Sequence, residues 1–333
     1  MLHATLPFLL SFSMTLTYSI NPISNLSLEA VVALLRSSIP DLGITPWTFA
    51  ARTTLDPNFD SFLALTATDD QGECIGFVHA VMRKPEDPRA TADVQCGWIQ
   101  LFATSPSHRH RGIASLLFDR IEQELRVRGV KQLYVGGYSP HYWAPGVDEQ
   151  AGANAIRFLE RRGYQSTSRP LAMEVRLGGD YSESAWIIDR REGLIKYASL
   201  GLELVAPATA CELLQFIRDN FSEDWAQTVS AALSHIATGY RSPEDLLIAI
   251  KRGRIVGFAH RECERFGPFG VAASEQGQGI GGVLLSAMLR HMQNEGCSRA
   301  WFMWTGDDIA KRVYAPAGFM ETHRWNRMRK TLT

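Results

Sequence analysis

The chain contains the same arrangement of segments twice, and that repetition constrains its fold more than any other feature. Around Gly112 it reads GWIQLFATSPSHRHRGIASLLFDRIEQELRVRGVKQLYVGGY, and around Gly279 it reads FGPFGVAASEQGQGIGGVLLSAMLRHMQNEGCSRAWFMWTG. Each copy runs from an apolar extended stretch through a polar loop to a glycine turn that opens a helix. The helix closes on another glycine, and a second apolar strand follows. Gly112 precedes Gly129 by 17 residues, and Gly279 precedes Gly296 by 17. Upstream, CIGFVHAV (from Cys74) parallels IVGFAHR (from Ile255); downstream, FLERRGY (from Phe158) parallels VYAPAGF (from Val313). A self-similar chain of 333 residues predicts two homologous units rather than one large core.

The helices carry apolar residues at helical spacing. Ile113, Leu116, Leu117, Ile121 and Leu125 form one stripe, and Ile280, Leu284, Met288 and Met292 form the other. Both read as core faces laid on a sheet. Further helices are expected over residues 27–36 and 208–220, each before the first strands of its unit. The order helix, strands, strand, helix, strand, helix, strand predicts an α/β arrangement around a mixed sheet.

Residues 1–15 read as a frayed extension or an early start, because the apolar run Leu6–Phe12 has no Lys or Arg before it and is too short to span a bilayer. The expected units are residues 16–178 and 200–333, joined by a linker over 179–199 that begins where Gly178 and Gly179 break the strand LAMEVRL. The balance of 34 Lys+Arg against 35 Asp+Glu argues against a nucleic-acid-binding protein. The five scattered cysteines form no CxxC pair, so the chain reads as reduced and cytoplasmic, with neither a metal cluster nor a membrane span.

Gln276-Gly277-Gln278-Gly279-Ile280-Gly281 places small residues at a helix start, where outward backbone N–H groups and the helix dipole suit a pyrophosphate. Arg109-His110-Arg111-Gly112-Ile113-Ala114 offers the same geometry plus cationic side chains; tight helix packing is the alternative use for both turns. A GxGxxG at Gly277, Gly279 and Gly282 invites a dinucleotide reading. Where a ribose-binding acid belongs, however, the chain has Trp301, Phe302 and Trp304, and too little chain follows. His108 and His110 resemble a metal pair only superficially and read as part of the anion loop.

These residues resemble the GCN5-related N-acetyltransferase (GNAT) family. Its [R/Q]-x-x-G-x-[G/A] signature is matched at Arg109–Ala114 and at Gln276–Gly281, with Pro106 in the first loop and a Tyr-x-x-x-Gly-Phe element at Tyr314–Phe319. The resemblance covers most of residues 16–177 and 200–333. It implies two tandem acyl-CoA N-acyltransferase units, each a mixed, mostly antiparallel sheet flanked by helices. It also implies acetyl-CoA as co-substrate, held by the signature loop and by Phe269, Gly270, Val271 and Ala273 on the bulged strand before it. The N-terminal counterparts are Phe102, Ala103 and Thr104.

The resemblance further makes Tyr314 the acid for the leaving thiolate and the Val271 N–H the thioester donor, and it implies a small-molecule amine as acceptor. Glu264 is the candidate base, although a solvated strand-edge carboxylate is its plainer reading. Leu159 stands where Tyr314 stands, so the C-terminal copy is the expected catalyst. A non-catalytic acyl-CoA-binding regulator and a protein N-acetyltransferase are the alternatives. Asp307 departs from the family's Asn, and Pro316 is expected to kink or shorten the late helix. The inserted HYWAPGVDEQ is expected to cover a site, and Tyr142, Trp143, Trp301 and Trp304 either line an acceptor pocket or pack.

Overall fold

The computed structural model describes residues 18–333 apart from 92, 140, 180, 183–184, 186–187, 190–191 and 195–199. The expectation for residues 1–15, and much of that for the 179–199 linker, lies outside the described residues.

Internal contacts divide the chain into two units. One holds the residues up to Val81 together with Ile99–Val130; the other holds Met82–Trp98 and Lys131–Thr333. In the first, strands β1 (Ser19–Pro22), β2 (Ala64–Thr68) and β3 (Cys74–Val81) pair antiparallel. Helix α1 (Leu28–Ser38) starts at Ser27, whose side chain accepts from the Ala30 N–H, and it buries Val31, Val32, Leu34 and Leu35. Helix α2 (Pro46–Arg52) follows, and β4 (Cys96–Thr104) leads into helix α3 (Ile113–Val127). Ile113, Leu117, Ile121 and Leu125 of α3 are buried. Leu116 is 47% exposed, so it does not belong to the core stripe.

The second unit contains β5 (Gln132–Val135), β6 (Val147–Asp148), α4 (Ala153–Arg161), β7 (Gln165–Ser168), β8 (Leu171–Arg176) and β9 (Leu200–Leu204). The chain continues through α5 (Pro207–Asn220), α6 (Glu223–Ala237), β10 (Leu246–Lys251), β11 (Arg254–Glu262) and β12 (Arg265–Val271). Helix α7 (Ile280–Asn294), β13 (Arg299–Thr305), the short α8 (Asp307–Ile309) and β14 (Met320–Thr331) complete it. Strands β9, β10, β11 and β12 pair antiparallel in that order. The long β14 pairs antiparallel with β8 at its start and with β7 and β5 further along, and β8 also pairs antiparallel with β13. Strand β8, which ends the N-terminal copy, is therefore sandwiched between the last two strands of the C-terminal copy. Sequence order alone gave no sign of this exchange.

Helix α7 buries Ile280, Leu284, Met288 and Met292 against this sheet. Each such side chain stabilises by about 2 kcal/mol. A glycine in the facing strand lets each signature helix approach closely. A Cβ on Gly257 would lie 3.0 Å from Leu284 Cδ1, and one on Gly76 would lie 2.7 Å from Ile113 Cγ2. The matched segments CIGFVHAV and IVGFAHR thus share a packing reason as well as a pattern.

Two buried histidines set an acid limit on stability. Among the described residues, neither ring nitrogen of His79 has a hydrogen-bond partner, and the His260 Nδ1 meets the Gly267 carbonyl at 3.1 Å. Burial lowers His79 to about 3 and His260 to about 4. The unfolded chain takes up these protons below the ordinary value of 6.5, while the folded chain does not. Stability from both groups is therefore present above pH 6.5 and is lost as pH falls towards 4. The melting temperature is expected to decline across that window, and His79→Leu should flatten the decline.

Candidate active site

Strands β12 and β13 form a parallel pair at a single position, Arg265 with Trp301, and do not pair beyond it. The register of β12 on β11 sets which edge each backbone group faces. Val271 lies opposite Gly257, and the Ala272 N–H donates to the Val256 carbonyl at 2.9 Å. Backbone groups alternate edges along an antiparallel strand, so the N–H groups of Phe269 and Val271 face the gap left by β13. The Val271 carbonyl on that edge is occupied by the Gln276 side chain at 3.1 Å. Gln276 therefore ties the signature loop to the strand and leaves the Val271 N–H for a ligand.

The N-terminal copy repeats these contacts. The Arg109 Nε donates to the Thr104 carbonyl at 3.4 Å, and the Ser105 N–H donates to the Ile75 carbonyl at 2.9 Å. Both loops also follow the same backbone path. A short 3-10 turn comes first, then an extended Arg109 or Gln276, then a positive φ at His110 (61°) or Gly277 (79°). Gly112 (φ 82°) and Gly279 (φ 89°) open the helices as left-handed N-caps without side-chain caps. The first-turn N–H groups of each helix are left for an anion. No atom would lie within 4 Å of a Cβ at Gly277 or Gly112, so conformation rather than crowding calls for glycine at those two positions. Arg109, His110 and Arg111 are exposed, Ala114 and Thr104 are partly buried, and His108 Nδ1 lies 3.0 Å from Ser107 Oγ rather than beside a second histidine.

A cavity of about 590 Å³ opens between β12, β13 and α7. Phe269, Gly270 and Val271 line it together with Gln276, Gly277, Gly279, Ile280 and Gly281, so the C-terminal candidates for cofactor binding are brought together. Ala273 and Gln278 do not line it. Gln278 instead accepts from the Lys251 ammonium at 2.7 Å and donates to Glu275, which bonds the same ammonium, while Ala273 begins the 3-10 turn.

Tyr314 borders the same cavity, packed against Phe302 at 4.3 Å and Phe319 at 5.4 Å between ring centroids. Its placement comes from an irregular helix: α8 passes into a π turn over Ala310–Tyr314 and then a 3-10 turn over Ala315–Ala317. Pro316 thus shortens the late helix as expected. Burial pushes the Tyr314 hydroxyl far above its ordinary value, so the group keeps its proton. Leu159, its counterpart, is fully buried.

Glu264 does not meet the expectation of a base. It is not among the cavity-lining residues; its carboxylate accepts from the Ser298 N–H at 3.0 Å and hydroxyl at 2.7 Å, and pairs with Arg299 at 3.2 Å. Those bonds hold it below the usual carboxylate range, so it fastens the β11–β12 turn to the start of β13. Asp307 pairs with Arg324 at 3.1 Å. The cavity wall also includes Phe221 and Trp225, stacked at 5.0 Å, which sequence reasoning missed. Their spacing across the α5–α6 junction was the available signal. Trp304 lines the cavity and Tyr142 packs edge-on to it at 6.0 Å, whereas Trp143 is buried. The one group of His and acidic residues within metal-binding reach among the described residues, Glu244, His291 and Glu295, lies elsewhere.

The acetyltransferase (GNAT) family model matches residues 29–164 and again 211–319. The chain belongs to this family. No curated protein matches the sequence. A GCN5-related glucosamine N-acetyltransferase region of a fungal multi-domain GH3 β-N-acetylglucosaminidase superposes with a TM-score of 0.75 at 20% identity, covering 95% of this chain and 38% of that one. A GCN5-related N-acetyltransferase from Sphaerobacter thermophilus gives 0.68 at 17% identity, covering 95% and 96%. A tandem GNAT protein from the clavulanic acid biosynthesis pathway gives 0.59 at 12% identity, covering 95% and 99%. These likenesses establish the fold, and two GNAT regions in a mixed, mostly antiparallel architecture match the sequence reading. Among the described residues, no helix is long and apolar enough to cross a membrane.

Proposed function

We propose that this GNAT protein moves an acetyl group from acetyl-CoA to a primary amine of a small molecule, and that the C-terminal copy performs the transfer. The observation that carries this reading is the convergence of the signature loop, the unpaired edge of β12 and Tyr314 on one cavity. The pyrophosphate rests on the N–H groups that begin α7, and the thioester lies along β12 with its carbonyl oxygen on the Val271 N–H. As the amine attacks, that donor meets the developing oxyanion, and the Tyr314 hydroxyl donates to the sulfur as the C–S bond breaks. Glu275, the one carboxylate lining the cavity among the described residues, is paired with Lys251 at 2.7 Å. The amine therefore gives its proton to water and must arrive neutral. Glucosamine, named for the fungal neighbour, supports an amino sugar as the first acceptor to try.

Calorimetric titration of acetyl-CoA should show about one site per chain, and release of CoA thiol should require an added amine. The rate constant kcat/KM should rise with pH up to the amine's own pKa, with no inflection from a protein carboxylate. Absence of acetyl-CoA binding overturns the reading. Binding without thiol release across an amine panel turns it towards a regulator.

A further inference from the structure

Trp304 is 40% exposed at the rim of the cavity; Arg327 lies against it and Arg265 against its neighbour Tyr142, both just outside the cavity-lining residues. The guanidinium carbon of Arg327 lies 5.3 Å from the Trp304 ring centroid and 4.7 Å from that of Tyr134. Arg265 lies over Tyr142 at 5.7 Å and donates to its hydroxyl at 3.0 Å. Tyr142 in turn stands against Trp304, so the inserted loop completes this rim.

Other withdrawn guanidinium groups of this unit meet carboxylates: Arg83 on Asp93, Arg241 on Glu262, Arg261 on Asp245 and Arg324 on Asp307. Among the described residues, Arg265 and Arg327 meet none. Asp93, the acid whose field reaches Arg327, is held by Arg83. Among the described residues, the Arg327 Nε is buried without a hydrogen-bond partner. A partly desolvated cation with an unpartnered donor and no counter-ion suits an anion that arrives with a ligand.

We infer that the acceptor amine carries an anionic group, a carboxylate or a phosphate, which Arg327 and Arg265 receive at the Trp304 rim while the amine points towards Tyr314. This rests on the acyl-transfer reading of the cavity. Acceptor pairs differing in the anion test it, with CoA thiol release as readout: glucosamine 6-phosphate against glucosamine, and lysine against lysine amide. In at least one pair the anionic member should have a kcat/KM about tenfold or more above its neutral partner. Arg327→Gln should collapse that ratio towards one through KM; Arg265→Gln serves if the first variant fails to fold.

An unchanged ratio, or preference for the neutral member in both pairs, overturns the inference. So does an Arg327→Gln effect confined to acetyl-CoA affinity, which assigns the arginine to the co-substrate. If no amine is acetylated, the acyl-transfer reading fails separately, and calorimetric binding of glucosamine 6-phosphate and of lysine still reads the anion site. Binding weakened about tenfold by Arg327→Gln supports the site, and no binding, or binding unaffected by the substitution, overturns it.

Discussion

Replacing Tyr314 with phenylalanine is expected to lower kcat about a hundredfold or more while leaving acetyl-CoA affinity nearly unchanged. The hydroxyl is the one group the substitution removes. The ring stays among Phe266, Phe269, Phe302 and Phe319, at centroid distances between 4.3 and 6.3 Å, so the packing survives. Burial holds the hydroxyl protonated throughout the ordinary assay range, which is the state the proposed donation to the leaving sulfur requires. Positioned proton donors contribute roughly 10²–10⁴-fold. The control lies in the other copy: Leu159 is fully buried and non-ionisable, and the volume-conserving Leu159→Met should leave turnover intact. Steady-state kinetics and a melting curve on each variant decide the matter. Equal losses would remove the asymmetry between the copies.

Much of this was legible in the sequence because it is local. Gly112 and Gly279 follow short polar loops and open 15-residue helices, and their strands carry Gly76 and Gly257 where those helices press. A turn and a helix face are encoded within a few residues of where they act. Pro316 announced an interrupted helix for the same reason, although not the π turn that aims Tyr314. The rest was hidden because it is set by partners far along the chain. Residue pattern around the β11–β12 turn could not reveal that Glu264 fastens to Ser298 and Arg299, since that contact exists only where β13 begins. The insertion of β8 between β13 and β14, and the meeting of Tyr142 with Trp304, likewise depend on chain crossings that no spacing records.

Gly279→Val should abolish the acetyl-CoA titration signal or weaken binding at least about tenfold, whereas Gly112→Val should leave the measured site unaffected. Gly279 has a φ of 89°, a conformation that costs a β-branched residue on the order of 1–3 kcal/mol. The strain lies in the backbone angle itself, so the loop relieves it by turning its own backbone. That movement misaligns the N–H groups at the start of α7, whose convergence is what an anion pays for with its desolvation. Gly112 bears the same strain at a φ of 82°, so the two variants are matched in conformational cost and differ in the copy they disturb. The backbone of the two loops is alike, and the contrast must then come from what surrounds each loop. Around Gly279 are an apolar cavity and a tyrosine, while the N-terminal copy has a leucine at the tyrosine's position. Binding lost with Gly112→Val and kept with Gly279→Val would move the co-substrate to the N-terminal copy, and the catalytic role of Tyr314 would fall with it.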